Sequence, residues 1–162
     1  MNHHLINKLV RTGLIQLGTF TDAHQSSSIR LQLEMLPSYP PLINDIATEL
    51  CRDLQTDLYD YLLCPHDSLS VALLVSQKTS IPLVYENRSG VSPASRLIGS
   101  YDVGHPTCIV SITDQAIDQL IGDAKKVGLD VIDRIVVFGT KKSAFAKMTL
   151  FDLDYIYNDL LD

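Results

Sequence analysis

A junction between a strand and a helix is where residue types and spacing in this chain could do chemistry. Thr107-Cys-Ile-Val-Ser-Ile112 reads as a buried strand, and a helix capped at Thr113 or Asp114 runs on from it through Ile121. At such a junction free amides and the helix dipole attract an anion such as phosphate, and glycine lets the backbone approach it closely. The glycines are missing between Thr107 and Ile121. Ser111, Thr113, Asp114 and Gln115 are the candidate ligand-binding residues here. The plain alternative is a helix capped by Thr113 or Asp114.

Other constellations are less specific. Gly139-Thr-Lys-Lys-Ser143 has the tail of a phosphate-binding loop, yet the upstream glycine is absent and no apolar helix follows directly, so it reads as a solvated basic turn. His66-Asp67-Ser68 places triad residue types side by side, whereas triad members meet in space and seldom in sequence. His3, His4, His24 and His105 lack metal-ligand spacing, and Cys51, Cys64 and Cys108 each lie beside apolar residues, which predicts buried, reduced thiols. No catalytic residue and no metal ligand is assigned.

The elements that must position these residues fit one domain. A chain of 162 residues is long enough to bury roughly 68–70% of the surface that it exposes when unfolded. Hydrophobic residues make up 46% and charged ones 20%, and the apolar runs are too short to span a bilayer, so no membrane partner is expected. A net charge of −6 argues against nucleic acid as a partner, since that binding needs a field of Lys and Arg. Met1-Asn-His-His-Leu5 has neither the basic nor the apolar region of a secretory signal, and a cytoplasmic protein is expected.

Along the chain, Leu5, Ile6, Leu9 and Val10 predict a first helix ending at Gly13. Ile29, Leu31, Leu33 and Met35 alternate with polar residues and predict an antiparallel or edge strand. Pro40-Pro41 starts a helix through Leu54, Tyr59–Cys64 is a buried strand, Asp67 or Ser68 caps a third helix, and Ile81–Tyr85 is the next strand. Residues 86–106 form a long loop, with room for a hairpin. Strand 107–112, its helix ending at Gly128, and strand 131–138 follow. Asp152 caps a C-terminal helix within 150–162, acidic on one side and apolar on the other, suited to packing on the sheet or to meeting a partner. Alternating strands and helices predict an α/β fold with a mainly parallel sheet flanked by helices, preceded by a small N-terminal helix and strand segment. Ligands then bind beyond the C-terminal strand ends, at loops 64–68, 86–106, 111–115 and 139–145.

Several stretches resemble the type I phosphoribosyltransferases, orotate phosphoribosyltransferase most of all. These are Leu14-Ile-Gln-Leu-Gly-Thr-Phe-Thr21, Leu62 to Leu74, Ile81-Pro-Leu-Val-Tyr85 and residues 107–138, in particular Lys126-Val-Gly-Leu-Asp-Val131. The resemblance spans roughly residues 5–140 and implies a single domain: a hood-like segment 1–38, a core 39–140 and a C-terminal helix 150–162. It also implies a homodimer. The family's phosphoribosyl pyrophosphate loop has two adjacent acids and a turn rich in threonine and glycine. Here Val110-Ser-Ile-Thr-Asp-Gln-Ala116 keeps only Asp114 as an acid and has no glycine. Cys64-Pro-His-Asp-Ser68 has a proline where the family turns amides toward pyrophosphate, and Phe20-Thr-Asp-Ala-His-Gln25 lacks the family's lysine. The mobile loop, Glu86 to Arg96, offers only Arg88 and Arg96 as cations; Arg88 joins the candidate ligand-binding residues.

Damage to separate parts of one electrostatic site leads to the expectation of a phosphoribosyltransferase-like protein without transferase activity. Its partner would be a phosphate-bearing metabolite or nucleotide, or another protein, and no cofactor is expected. The alternatives are a divergent active transferase, in which Asp114, Arg88 and magnesium with phosphoribosyl pyrophosphate share the work, and a structural homo-oligomer or assembly factor.

Overall fold

The computed structural model describes residues 3–22, 25–114, 117–139, 148–153 and 156. Helix α1 (His3–Arg11) buries Leu5, Ile6 and Leu9 on one stripe. It stops where Gly13 takes a φ of 75°, a left-handed conformation that closes a helix end without a Cβ penalty. Strands β1 (Ile15–Asp22) and β2 (Gln25–Leu31) pair antiparallel, with a register irregularity between Leu17 and Phe20. The guanidinium of Arg30 lies 4.6 Å from the centroid of the Phe20 ring across this ribbon.

The antiparallel N-terminal pairing agrees with the sequence expectation, but its extent does not. Leu33 and Met35 lie in a 3₁₀ segment, Leu33–Ser38, that follows β2. Pro37 within it has no amide to give to a ladder, and Leu36 is the residue that reaches the core. Helix α2 (Pro40–Asp53) follows, with proline in its first turn and Leu42, Ile43, Ile46, Ala47 and Leu50 buried.

The main sheet contains β3 (Tyr61–Cys64), β4 (Leu83–Glu86), β5 (Leu97–Ile98), β6 (Pro106–Thr113), β7 (Asp130–Gly139) and β8 (Met148–Asp152). Their order across the sheet is β5-β4-β3-β6-β7-β8, and every pairing is parallel except β4 with β5. Helix α3 (Leu69–Thr79) connects β3 to β4, and α5 (Asp118–Lys126) connects β6 to β7. The long 86–106 connection contains a one-turn helix, α4 (Pro93–Arg96), whose start is held by a reciprocal Ser92–Ser95 capping box. Its hairpin element is the antiparallel β4–β5 pair.

Alternation along the central strands divides the core between the two faces. Leu62, Cys64, Cys108, Val110 and Ile112 pack with α1, α2 and α3. Leu63 and Ile109 pack with Ile117, Leu120 and Ala124 on the α5 side. Both faces are covered, as a parallel sheet requires.

Two caps differ from expectation. The side chain of Ser68 makes no capping bond to α3, and α5 begins at Asp118, with Ile117 at its cap position, not at Thr113 or Asp114. Of the segment 150–162 expected as a C-terminal helix, Leu150–Asp152 instead complete β8, parallel to β7, and helix begins at Leu153, directly after the Asp152 expected as its cap. Phe151 is fully buried there and stacks on Phe138, with ring centroids 5.2 Å apart. Beyond Asp152, only Leu153 and the buried Ile156 lie within the described residues. Cys64 and Cys108 are buried free thiols, while Cys51 is half-buried.

One ion pair ties the long connection to the sheet's second layer. Arg96 Nη1 donates to Asp123 Oδ2 at 2.9 Å, and the Asp123 side chain is only 4% exposed. Asp123→Ala leaves Arg96 with partial access to water, so a loss of about 2 kcal/mol is expected, below the range for a fully buried pair. Urea unfolding of the variant against the parent checks this.

Candidate functional site

The sheet's order of connection reverses between β3 and β6: the chain leaves β3 for β4 on one side and then returns to β6 on the other. Crossovers leaving in opposite directions open a crevice at the C-terminal ends of those two strands. A cleft of about 540 Å³ lies at this place, within the usual range of small-molecule sites. Leu31, Leu33, Glu34 and Pro37 from the N-terminal segment form one wall; His66, Asp67, Arg88, Ile112 and Thr113 form the other.

The loop after β3 is shaped by its own hydrogen bonds. Pro65 is extended, with φ −66° and ψ 157°, and a 3₁₀ turn over His66–Ser68 follows. Ser68 is fully buried; its Oγ accepts a hydrogen bond from the Ile112 amide at 2.9 Å and donates to Asp67 Oδ1 at 3.0 Å. One hydroxyl therefore joins the loop after β3 to the end of β6. This tertiary bond is why Ser68 does not cap α3.

Charge in the cleft is matched within the protein. The His66 amide donates to Glu86 Oε2 at 3.1 Å, and the Ser68 amide to the Pro65 carbonyl at 3.0 Å. Arg88 Nη2 reaches Asp67 Oδ2 at 3.4 Å, with both side chains more than half exposed, a pairing worth only about 0–1 kcal/mol. In the core, at the end of β3, burial, then Asp67 and Glu86, push the Cys64 thiol up to about 12. Cys64 is thus a neutral packing group, not a nucleophile.

Of the residues singled out from the sequence, Thr113 and Arg88 line the cleft together. Ser111 is buried on the strand face opposite Ile112, its Oγ without a hydrogen-bond partner. Asp114 leans over the end of β7, where a Cβ placed on Gly139 would lie 3.6 Å from Asp114 Oδ2. Gln115 and the loop beyond Gly139 lie outside the described residues. Ser68, predicted as a cap within the 64–68 loop, and Glu34, a polar residue of the predicted edge strand, also belong to the site; neither signals its role through periodicity. The link between Ser68 and Ile112 is a contact across 44 positions, which local pattern does not carry.

The order of connection, the antiparallel edge and the N-terminal segment standing over the strand ends define the phosphoribosyltransferase fold. Solved structures similar to this chain include proteins of that name. UMP synthase of Leishmania donovani matches with a TM-score of 0.79 and 21% identity, over 96% of this chain and 37% of the other. Orotate phosphoribosyltransferase from Aeropyrum pernix matches with a TM-score of 0.77 and 17% identity, over 96% and 97% of the two chains. Adenine phosphoribosyltransferase from Thermoanaerobacter pseudethanolicus matches at 0.65 and 10%, over 91% and 99%. The chain spans little more than a third of the UMP synthase chain. No family model matches the sequence. No helix among the described residues is long and apolar enough to cross a membrane.

Two measurements test the chemistry of this region. Ser68→Ala strips the buried Ile112 amide of its partner and is expected to cost about 1–3 kcal/mol in urea unfolding. For Cys64, a thiol pKa raised in the folded state from 9.0 to about 12 means that its contribution is fully present below pH 9 and is lost between there and pH 12. The unfolding free energy is expected to fall in that window by up to about 1.4 kcal/mol per pH unit from this group, a component absent in Cys64→Ala.

Proposed function

We propose that this protein is a phosphoribosyltransferase-like binding protein without transferase activity, whose cleft takes a small phosphate-bearing metabolite or nucleotide. The observation that carries the reading is the internal use of the groups that would face pyrophosphate. Pro65 supplies no amide, the His66 amide is given to Glu86, and Arg88 is partnered by Asp67. Transfer chemistry depends on fixed donors aimed at the charge that develops in the transition state. Here those donors face the protein's own carboxylates.

The residues do not fit a magnesium–pyrophosphate complex either. Asp67 is engaged by Ser68 and Arg88, and Asp114 lies over β7. Among the described residues no three His, Cys, Asp or Glu side chains converge as a metal site. What remains suits a smaller ligand: an apolar wall of Leu31, Leu33, Pro37 and Ile112, the Thr113 hydroxyl, and Arg88 in a weak, exposed pair that a single phosphate can displace. The resemblance to orotate phosphoribosyltransferase further supports a homodimer, which light scattering would register as twice the chain mass.

The test has two arms. With phosphoribosyl pyrophosphate, magnesium and orotate, no pyrophosphate release above background is expected. Turnover that disappears in Asp114→Ala would instead establish a divergent enzyme. In amide-resolved NMR titrations with uridine monophosphate, phosphoribosyl pyrophosphate, orotate and phosphate, saturable shifts are expected at Ile112 and Thr113. If none of the four moves them, the metabolite reading fails and a protein-interaction role takes its place.

A further inference from the structure

A second cavity, of about 340 Å³, lies away from the cleft, between α5 and β7. Its apolar wall is formed by Ile121, Val131 and Ile132, the last 47% exposed at the surface. Arg134 stands in the middle of β7, paired in register with Ile109, whose side chain belongs to the α5-side core. An arginine here is unexpected, since the strand continues through it into the apolar run Ile135–Phe138 and the residue is only 6% exposed.

Arg134 is among the residues lining the cavity, and its Nε and Nη2, buried beneath the cavity surface, have no hydrogen-bond partner among the described residues. A buried, charged donor without an acceptor is the arrangement that folded proteins avoid most consistently. Burial lowers the Arg134 pKa, and Asp114 and Asp118 act in the opposite direction; arginine remains a cation in this range. Neither carboxylate hydrogen-bonds to it. Asp133, the neighbour on β7, receives the Tyr59 hydroxyl.

The two unpartnered atoms are adjacent on one edge of the guanidinium. Their N–H bonds run parallel, the spacing that receives both oxygens of a carboxylate. Lys125 adds a second cation at the cavity, while Asp118 and Asp133 oppose the entry of a multiply charged anion. We propose that this cavity binds a small organic monocarboxylate, with its oxygens on Arg134 Nε and Nη2 and its apolar body against Ile121, Val131 and Ile132. Both donors are sealed from solvent, so binding requires the side chains that cover them to part. The site is separate from the cleft and does not depend on the function proposed for it.

Benzoate serves as the probe, with inorganic phosphate for comparison, on the full chain at low salt. NMR signals of the Arg134 Nε–H and of the Ile121 and Ile132 methyl groups report on the site directly. Saturable benzoate shifts at all three are expected, with a dissociation constant on the order of millimolar, as befits so small a ligand. Arg134→Met keeps the stem and removes the fork, and should weaken benzoate by about tenfold or more. Ile132→Glu, at a half-exposed position, adds a like charge at the wall without disturbing Arg134, and should weaken binding by about tenfold even if the first variant does not fold.

An Arg134 Nε–H signal unmoved by benzoate at about 50 mM, well above the expected constant, would overturn the proposal. So would shifts that persist undiminished in Ile132→Glu. Tighter saturation by phosphate than by benzoate at the same three signals would show that the site is not one for monocarboxylates. Turnover or nucleotide binding at the cleft would leave each of these outcomes unchanged.

Discussion

Burial of β3 and β6 on both faces is the constraint from which the rest of this structure follows. Leu62 and Leu63 point to opposite faces, as do Cys108 and Ile109, and all four are fully buried. A strand with no wet face needs a layer on either side; α2 and α3 supply one, and α5 the other. Parallel pairing then requires long crossovers, and those leaving β3 and β6 diverge. The crevice between their ends is a consequence of this wiring and precedes any choice of residues to fill it.

What fills it determines the chemistry. Ser68 bridges the two strand ends through Ile112, so the loop after β3 is positioned by a buried bond and not by a ligand. Around that bridge, Asp67 and Glu86 accept from Arg88 and from the His66 amide. The same carboxylates also hold the Cys64 thiol neutral, after burial itself. An anion entering this cleft would therefore exchange contacts that the protein already makes for new ones.

Most of the scaffold was legible in the sequence, because its elements rest on periodicity. The stripes of α1 and α2 and the apolar runs of β3, β6 and β7 each meet one period without ambiguity. The 33–38 segment misled because Leu33 and Met35 continue the alternation of β2, while Pro37 and the burial of Leu36 impose a turn. The cap at Asp152 marks the start of helix at Leu153, but the strand before it was not legible, because Phe151 is held in the sheet by its contact with Phe138. Within the site, loop positions were legible from topology, and Thr113 and Arg88 with them. The Ser68–Ile112 bond and the acceptors for His66 and Arg88 were not, since each joins residues 20 or more positions apart.

Scaffold and site are also separate in this fold. The core contacts of β3 and β6 lie within the strands and among α2, α3 and α5, whereas the cleft residues His66, Asp67 and Arg88 are solvent-facing and bury little apolar surface. Substitutions there change the field in the cleft far more than the free energy of folding. The exception is Ser68, which belongs to both: its backbone is in the loop and its hydroxyl is in the core. Arg134 and Ser111 present the opposite case, polar groups placed inside the second layer, where apolar side chains would pack without penalty. A guanidinium buried beneath α5 without an acceptor costs folding free energy that an apolar side chain of similar size would not.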